Sequence, residues 1–219
     1  QLRGQGMLPP GAAGQLAANR LEQRWQNLQH TLLQLGPLHC DSIRSETESR
    51  TVLKAGATTV WVSAGRLQSR TALGGWLTHL IQQASGVSTP TAVICRCDSS
   101  AKADHFQLAL HWQPLDPGRA QELLFSLQSL AAAGAESCWP VPPASGLARA
   151  LMLHKGLEKA NRAFESRWDG GFAGSGERKR SEMQLCFGDH FEADTFLSEA
   201  CFEEAFQPLY APMLEAQRR

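Results

Sequence analysis

Glu177-Arg178-Lys179 is the one place in the chain where an acidic residue stands two positions before a lysine. Metal-dependent DNA cleavage uses such pairs, because carboxylates hold Mg²⁺ while the lysine helps to activate the attacking water. The chain has five lysines, and the residues two positions before the other four are Val52, Ser100, Leu153 and Leu157. Glu177 lies in a Gly-rich, charged segment without a strand pattern. A solvated basic loop is therefore the favoured interpretation, and no catalytic residue is assigned.

The alternative interpretation is an active metal nuclease that uses Glu177 and Lys179. It needs a further carboxylate from a distant part of the chain, such as Asp41 or Asp98. Other metal chemistry has little support, because the close cysteine pair Cys95-Arg96-Cys97 is not a C-x-x-C motif. We expect neither a metal site nor a bound cofactor in this chain.

The histidines are not spaced in the sequence like the ligands of a metal site. His154 lies on the apolar face of a predicted helix, which favours a buried core histidine. His79 is best explained by helix packing, with a position facing a groove as the alternative.

Basic residues that lie near aromatic residues in the sequence are candidates for nucleic-acid binding. Arginine and aromatic side chains in a loop can hold single-stranded nucleic acid through phosphate contacts and base stacking. Trp168 and Phe172 lie close in sequence to several such arginines. A solvated loop beside Glu177 and Glu182 is an equally good explanation. The candidate DNA-contacting residues are Arg66, Arg70, Arg167, Arg178, Lys179 and Arg180, with Arg162 in the same cluster.

The composition narrows the class of protein. Lys plus Arg and Asp plus Glu both number 21, so the net charge is zero. This balance argues against an autonomous high-affinity nucleic-acid binder but permits a DNA-contacting part of a larger assembly. No apolar run approaches a membrane span, and the six irregularly spaced cysteines predict reduced, mostly buried thiols of a cytoplasmic protein. The start at Gln1, without a signal peptide, suggests a fragment of a longer chain.

The elements that would position these residues alternate between helices and strands. Apolar residues spaced by three and four predict a long helix over about 12–35, and a second helix runs from Trp76 to about Ser85. The segment between these two helices is predicted to form short strands, with turns at Gly56 and Gly65. A hairpin follows over 91–112, with its turn at 98–104.

The second half of the chain is predicted to be mainly helical. Asp116-Pro117 is typical of a helix start, and Glu136–Val141 suggests a further strand. A long helix follows from Leu147 to Trp168. A helical tail covers about 195–217, broken or kinked at its prolines. Together these elements predict one α/β domain over residues 1–219 with a mixed central sheet flanked by helices.

Several weak motifs occur in an order that resembles a known family. They are G-x-L-P-x-G-x-x-G at 6–14, W-L-x-H-L at 76–80, P-x-S-G at 143–146, K-A-x-x-x-F at 159–164, G-E at 176–177 and F-x-P-L at 206–209. Their order and spacing resemble the C-terminal domain of the gamma subunit of exodeoxyribonuclease V, the RecC family.

That resemblance implies a restriction-endonuclease-like fold that has lost its metal-binding carboxylates. It also implies a noncatalytic role in a three-subunit helicase–nuclease that processes double-strand breaks for recombination. The RecB-type and RecD-type subunits would then be the partners and the users of ATP and Mg²⁺, with DNA bound within the complex and no membrane contact. The basic segment 175–180 departs from the more acidic stretch associated with the family at this place, so its partner could be DNA or another subunit.

Overall fold

The computed structural model describes residues 9–44, 49–97, 104–170 and 176–217. The chain divides into two compact units. The first unit combines Gln1–Leu67 with Thr89–His111, and the second combines Gln68–Ser88 with Trp112–Arg219. Each unit therefore consists of two segments separated in sequence by a segment of the other. The single domain over residues 1–219 stays a prediction.

A five-stranded mixed sheet dominates the first unit, and its strand order follows the chain. The pairs β1–β2 and β2–β3 are antiparallel, whereas β3 and β4 are parallel. A parallel pair needs a long connection, and the connection from β3 to β4 contains a helix. The mixed α/β class predicted from the sequence is confirmed. The strands are β1 (Leu38–Arg44), β2 (Ser49–Ala55), β3 (Thr58–Arg66), β4 (Thr91–Arg96) and β5 (Phe106–Trp112).

The long amino-terminal helix α1 (Gly11–Leu33) packs against this sheet, close to the predicted bounds. Leu32 of α1 is buried with Val60 and Ile94 of the sheet in one apolar cluster. The predicted apolar face of α1 also includes Leu21 and Trp25, but these are 43% and 57% exposed. The sheet therefore covers only the carboxyl-terminal half of that face.

An ion-pair cluster joins α1 to the connection between β4 and β5. Asp104 accepts hydrogen bonds from Nε of Arg24 at 2.6 Å and from Nε of Arg20 at 3.0 Å. The hydrogen bond from Arg24 is the main reason that the pKa of Asp104 lies below its ordinary value. Cys97 N–H donates to the His105 carbonyl at 2.9 Å, next to the predicted turn, of which residues 98–103 lie outside the described ones.

Glycine explains one of the two predicted turns. Gly56 has a φ of +58° and forms the turn between β2 and β3, as predicted. Gly65 lies inside β3, near a register shift between Val62 and Arg66, so the prediction of a turn there is wrong. A register shift is typical of a β-bulge, where the strand bends without ending.

Helices make up the second unit. The predicted start of α3 is confirmed, because Oδ1 of Asp116 accepts a hydrogen bond from Arg119 N–H at 3.1 Å and Pro117 is the first helical residue. The predicted end of α2 is confirmed at Ala84. The helices are α2 (Ser69–Ala84), α3 (Pro117–Glu136), α4 (Pro143–Met152), α5 (Leu157–Asp169), α6 (Ser181–Phe187), α7 (Ala193–Ser198) and α8 (Ala200–Glu215).

Three predictions in this half are wrong. The segment predicted as the strand Glu136–Val141 contains the end of α3 and no strand. The predicted long helix from Leu147 to Trp168 is interrupted at Gly156, whose φ of +103° is incompatible with a helix. His154 lies in the resulting connection and is exposed rather than buried in a core.

The carboxyl-terminal tail is helical as predicted, but its prolines do not end α8. Pro208 and Pro212 both lie inside that helix. Phe202, Phe206 and Tyr210 recur at intervals of four and are fully buried. Aromatic contacts join α8 to α5, where the rings of Phe202 and Phe164 meet edge to face at 5.3 Å. Burial of this aromatic stripe offsets the backbone hydrogen bonds that the prolines remove.

The W-L-x-H-L motif supplies a second aromatic cluster. His79 stacks on Trp76 with ring centroids 5.4 Å apart, and both residues are buried. Trp112 packs against both rings and donates its indole N–H to the Met213 carbonyl at 3.0 Å. The prediction that His79 serves helix packing is confirmed.

We predict that Leu32→Ala lowers the free energy of unfolding by about 2–5 kcal/mol, because it leaves a cavity between α1 and the sheet. Leu33→Ala is the matched control, since Leu33 is 60% exposed and should change stability by less than about 0.5 kcal/mol. Urea denaturation followed by tryptophan fluorescence measures both variants. Equal losses for Leu32 and Leu33 would contradict the packing of α1.

Candidate functional site

The carboxylate of Glu177 is buried against the amino end of α4. Glu177 begins a short 3₁₀ helix (Glu177–Lys179) and is 3% exposed. Its Oε1 accepts the backbone N–H of Ala144 at 2.9 Å, and its Oε2 accepts the backbone N–H of Ser145 at 2.7 Å. The Ser145 hydroxyl donates to the same Oε2 at 2.7 Å. Glu177 is thus bound by three donors from one turn of α4.

This contact replaces a missing helix cap. Helix starts leave backbone N–H groups without partners, and a Ser, Thr, Asp or Asn at the cap position normally accepts one of them. The cap position of α4 is Pro142, which makes no side-chain hydrogen bond to the helix. Glu177 accepts two of these N–H groups from 32 and 33 residues further along the chain. Its negative charge also suits the positive end of the helix dipole.

Tyr210 of α8 also contacts the start of α4. The Tyr210 hydroxyl donates to the Pro143 carbonyl at 3.2 Å. Burial raises the pKa of the Tyr210 hydroxyl, and the charge of Glu177 raises it further. A Cβ on Gly146 would lie 2.6 Å from Cγ1 of Val141 and 3.2 Å from the Tyr210 ring. Glycine at this position therefore allows the close approach of α4 to α8.

Gly176 lets the segment carrying Glu177 approach the end of α5. Gly176 is buried, and a Cβ there would clash with backbone atoms of Trp168 and Asp169. The P-x-S-G and G-E motifs thus have a joint structural explanation, because the serine and the glutamate are hydrogen-bonded to each other and both glycines occupy positions without room for a side chain.

The expectation of a solvated loop is wrong for Glu177, which is buried, whereas Lys179 is exposed. Both residues lie in a 3₁₀ helix rather than at a strand end. Asp41 belongs to β1 in the first unit and forms an ion pair with Lys54 at 2.7 Å, which lowers the pKa of the Asp41 carboxyl. Asp98 lies outside the described residues. This placement gives the nuclease alternative no support.

The predicted basic residues belong to several different elements, and three of them are consecutive at 178–180. Arg178 forms an ion pair with Asp169 at 3.2 Å. Arg178 and Lys179 line a pocket of about 330 Å³, and Arg180 follows them as an exposed residue. The pocket is mixed in charge, because its other lining residues are Gln184, Asp189, His190 and Glu192.

The other candidate basic residues belong to α5, β3 and α2. Arg167 is exposed near the end of α5, and Arg162 on the same helix forms an ion pair with Glu158. Arg66 ends β3 in the first unit, whereas Arg70 is exposed on α2 in the second. Phe172, one of the two aromatic residues considered for base stacking, lies outside the described residues, and the other, Trp168, is buried.

Sequence analysis missed Arg149, a buried cation on α4. Its Nε donates to Asn161 of α5 at 3.1 Å, and its Nη2 forms an ion pair with Glu203 of α8 at 3.0 Å. Its guanidinium also lies 4.4 Å from the ring centroid of Phe206. Its position between Leu147 and Ala150 on a buried helix face was the available signal, and its partners were not visible in the local sequence.

The cysteines differ from expectation. Cys95 and Cys97 are buried, but Cys40, Cys138, Cys186 and Cys201 are exposed, so the prediction of mostly buried thiols is wrong. No group of three or more His, Cys, Asp or Glu side chains among the described residues is arranged to hold a metal ion. In the same part of the chain, no helix has the length and apolar character required to cross a membrane.

The sequence model of the RecC C-terminal domain matches residues 1–154. The chain belongs to the RecC C-terminal domain family. The matched region contains the first Gly-rich motif, the W-L-x-H-L helix and the start of α4, whereas Glu177 and the basic segment lie beyond it. No curated protein matches the chain.

Glu177→Gln should lower the free energy of unfolding by about 1–3 kcal/mol, because the amide nitrogen cannot accept a hydrogen bond from an N–H of α4. Glu182→Gln, at an exposed glutamate on α6, is the control and should change stability by less than about 0.5 kcal/mol. Chemical denaturation checks both variants. A neutral Glu177→Gln variant would show that this carboxylate is not required to cap α4.

Gly146→Ala should destabilise the protein by about 1–3 kcal/mol through overpacking against Val141 and Tyr210. Gly134→Ala is the control of opposite sign, because Gly134 is exposed on α3 and a Cβ there meets its nearest neighbour at an ordinary 3.6 Å. It should stabilise the protein by up to about 1 kcal/mol through helix propensity. Thermal unfolding of the two variants separates these effects, and a stabilising Gly146→Ala would refute the close approach.

Proposed function

We propose that this chain is a noncatalytic, nuclease-like scaffold domain of the gamma subunit of exodeoxyribonuclease V. Its membership of the RecC C-terminal domain family supports this role in double-strand break processing and recombinational repair. In this proposal the chain contacts the RecB-type and RecD-type subunits, which supply the ATP-driven motors and the Mg²⁺-dependent cleavage, in the cytoplasm.

The proposal that the domain is noncatalytic is supported mainly by the hydrogen bonds that occupy the carboxylate of Glu177. Both oxygens of its carboxylate accept hydrogen bonds from α4. A metal ligand at this position would have to give up contacts with backbone N–H groups that have no other cap, at a cost of about 1–3 kcal/mol for each donor left without a partner. The only acid-x-lysine pair in the sequence is thus better suited to holding two helices together than to binding Mg²⁺.

The mixed sheet of the first unit is compatible with a degenerate restriction-endonuclease-like fold, which we include in the proposal. The exposed Lys179 and Arg180 are the proposed DNA contacts within the complex, because exposed cations are available to phosphates. A net charge of zero fits a domain that meets DNA only as part of an assembly.

Association with the partner subunits tests the scaffold role. We expect the purified chain to co-elute in size-exclusion chromatography with a RecB-type or RecD-type subunit at low salt. The double variant Lys179→Gln, Arg180→Gln should keep that association, because only its DNA contacts are removed. The double variant Lys155→Gln, Lys159→Gln, at exposed lysines elsewhere, controls for the loss of charge. Failure of the unmodified chain to co-elute with either subunit would contradict the scaffold role.

A cleavage assay tests the nuclease alternative. We expect the chain to leave end-labelled double-stranded and single-stranded DNA intact with Mg²⁺ or Mn²⁺ present. Cleavage by the unmodified chain that disappears in both Glu177→Ala and Lys179→Gln would establish the alternative. Lys179→Gln is the decisive variant, because Lys179 is exposed and its replacement leaves the cap of α4 in place.

A further inference from the structure

The sheet of the first unit brings two arginines together at the carboxyl ends of its parallel strands. Arg66 ends β3 and Arg96 ends β4, and the two residues are register partners. Register partners on neighbouring strands lie about 4.8 Å apart, with their side chains on the same face of the sheet. Like charges at such positions repel each other, so a negatively charged group bound there would stabilise this end of the sheet.

The pleat places both arginines on the face of the sheet that α1 covers. Side chains alternate between the two faces of a strand, so Arg96 shares a face with Ile94. Ile94 is buried in the same apolar cluster as Leu32 of α1. Arg96 is half-buried, and its Nε atom is buried without a hydrogen-bond partner among the described residues.

Helix α1 adds two further arginines at the same end of the sheet. The carboxylate of Asp104 binds both Arg20 and Arg24. The residue after Asp104 accepts, through its carbonyl, the backbone N–H of Cys97, which directly follows Arg96. Four arginines from α1, β3 and β4 therefore gather at one end of this sheet.

The charge at this end is positive even when the neighbouring turns are counted. The two turns there, 44–50 and 98–103, lie partly or wholly outside the described residues, and their sequences are neutral, with two arginines and two glutamates in the first and one lysine and one aspartate in the second. Glu22, the one carboxylate of α1, lies on the side of the helix opposite its two arginines. Four arginines and the single carboxylate of Asp104 thus leave an excess of three positive charges.

An exposed aromatic ring lies beside these arginines. Trp25 follows Arg24 on α1 and is 57% exposed. Helical spacing places Trp25 on the same side of α1 as Leu28 and Leu32, which pack against the sheet. Trp25 lies nearer the amino end of the helix, beyond the half that the sheet covers. Arginines that contact phosphates and an exposed ring on which a base can stack are typical of surfaces that hold single-stranded nucleic acid.

We propose that this end of the first unit binds single-stranded nucleic acid, with its arginines on the phosphates and a base stacked on the exposed ring. The binding residues, which we call the strand-end surface, are Arg20, Arg24, Trp25, Arg66 and Arg96. A duplex keeps its bases paired and stacked along its length, and an acidic protein segment supplies charge but no base, so neither uses all of this surface. The strand-end surface belongs to a different unit from the basic segment 175–180, and the proposal does not rest on the scaffold function.

Fluorescence anisotropy with a labelled oligothymidylate tests the binding. Every chain in the assay carries Lys179→Gln and Arg180→Gln, so that the basic segment cannot account for the signal. We expect saturable binding at low salt that weakens steeply as salt is added, because phosphate contacts release counterions. The double variant Arg20→Gln, Arg66→Gln should lower the affinity at least about tenfold. It should also reduce the slope of log affinity against log salt by about 1.4, which corresponds to about 0.7 for each lost phosphate contact.

A second double variant controls for the loss of charge. Arg119→Gln, Lys159→Gln removes two charges from exposed positions of the second unit and should leave the affinity and the salt slope unchanged. Thermal unfolding confirms that all chains are folded, as expected because Arg20 and Arg66 are exposed. Absence of saturable binding to the oligothymidylate, or equal losses of affinity in the two double variants, would overturn the proposal.

Trp25→Leu tests the stacked base, because leucine keeps an apolar side chain but removes the ring. We expect the affinity for the oligothymidylate to fall at least about fivefold. The salt slope should stay unchanged, since no phosphate contact is lost.

Competition identifies the class of ligand. Unlabelled oligothymidylate should displace the probe at lower concentration than a hairpin duplex or polyglutamate of equal charge. Equal competition by the duplex would overturn the assignment to single strands. Equal competition by polyglutamate, together with an unchanged affinity in Trp25→Leu, would assign the surface to an acidic protein segment and overturn the proposal.

Discussion

The carboxylate of Glu177 at the amino end of α4 is the contact on which the second unit depends. Helix α4 has a proline at its cap position, so its first N–H groups rely on a residue 32 positions away. Helix α4 in turn places Gly146 against Tyr210 and Arg149 between Asn161 and Glu203. One buried anion therefore fixes the start of the helix that joins α5 to α8.

The same contact affects how the Glu177-Arg178-Lys179 pattern is interpreted. An acidic residue two positions before a lysine has the composition of a nuclease motif. In this chain, however, the two side chains have different environments and different roles. Glu177 is buried and hydrogen-bonded to a helix, whereas Lys179 is exposed beside a pocket. The pattern identifies residue types, and the backbone around them decides what chemistry is available. The proposed scaffold role is in keeping with this arrangement.

Local patterns predicted the elements whose signals lie within one turn or one strand. The periodicity of α1 and the Asp116-Pro117 start of α3 are of this kind, and both are confirmed. The false strand at 136–141 has β-type residues but lacks a partner strand, which the sequence does not reveal. Glu177 was missed as a buried residue because its partners, Ala144 and Ser145, are brought to it only by the tertiary fold. The exposed cysteines were misjudged from the average behaviour of free thiols.

The central claim is that Glu177 is a structural anion and not a metal ligand. Titration calorimetry of the chain with Mg²⁺ and with Mn²⁺ at low salt tests it most directly, with Glu177→Gln measured in parallel. The account predicts no saturable site in the unmodified chain, and therefore no difference in binding heat between the two proteins. A single saturable site that is present in the unmodified chain and lost in Glu177→Gln would contradict it.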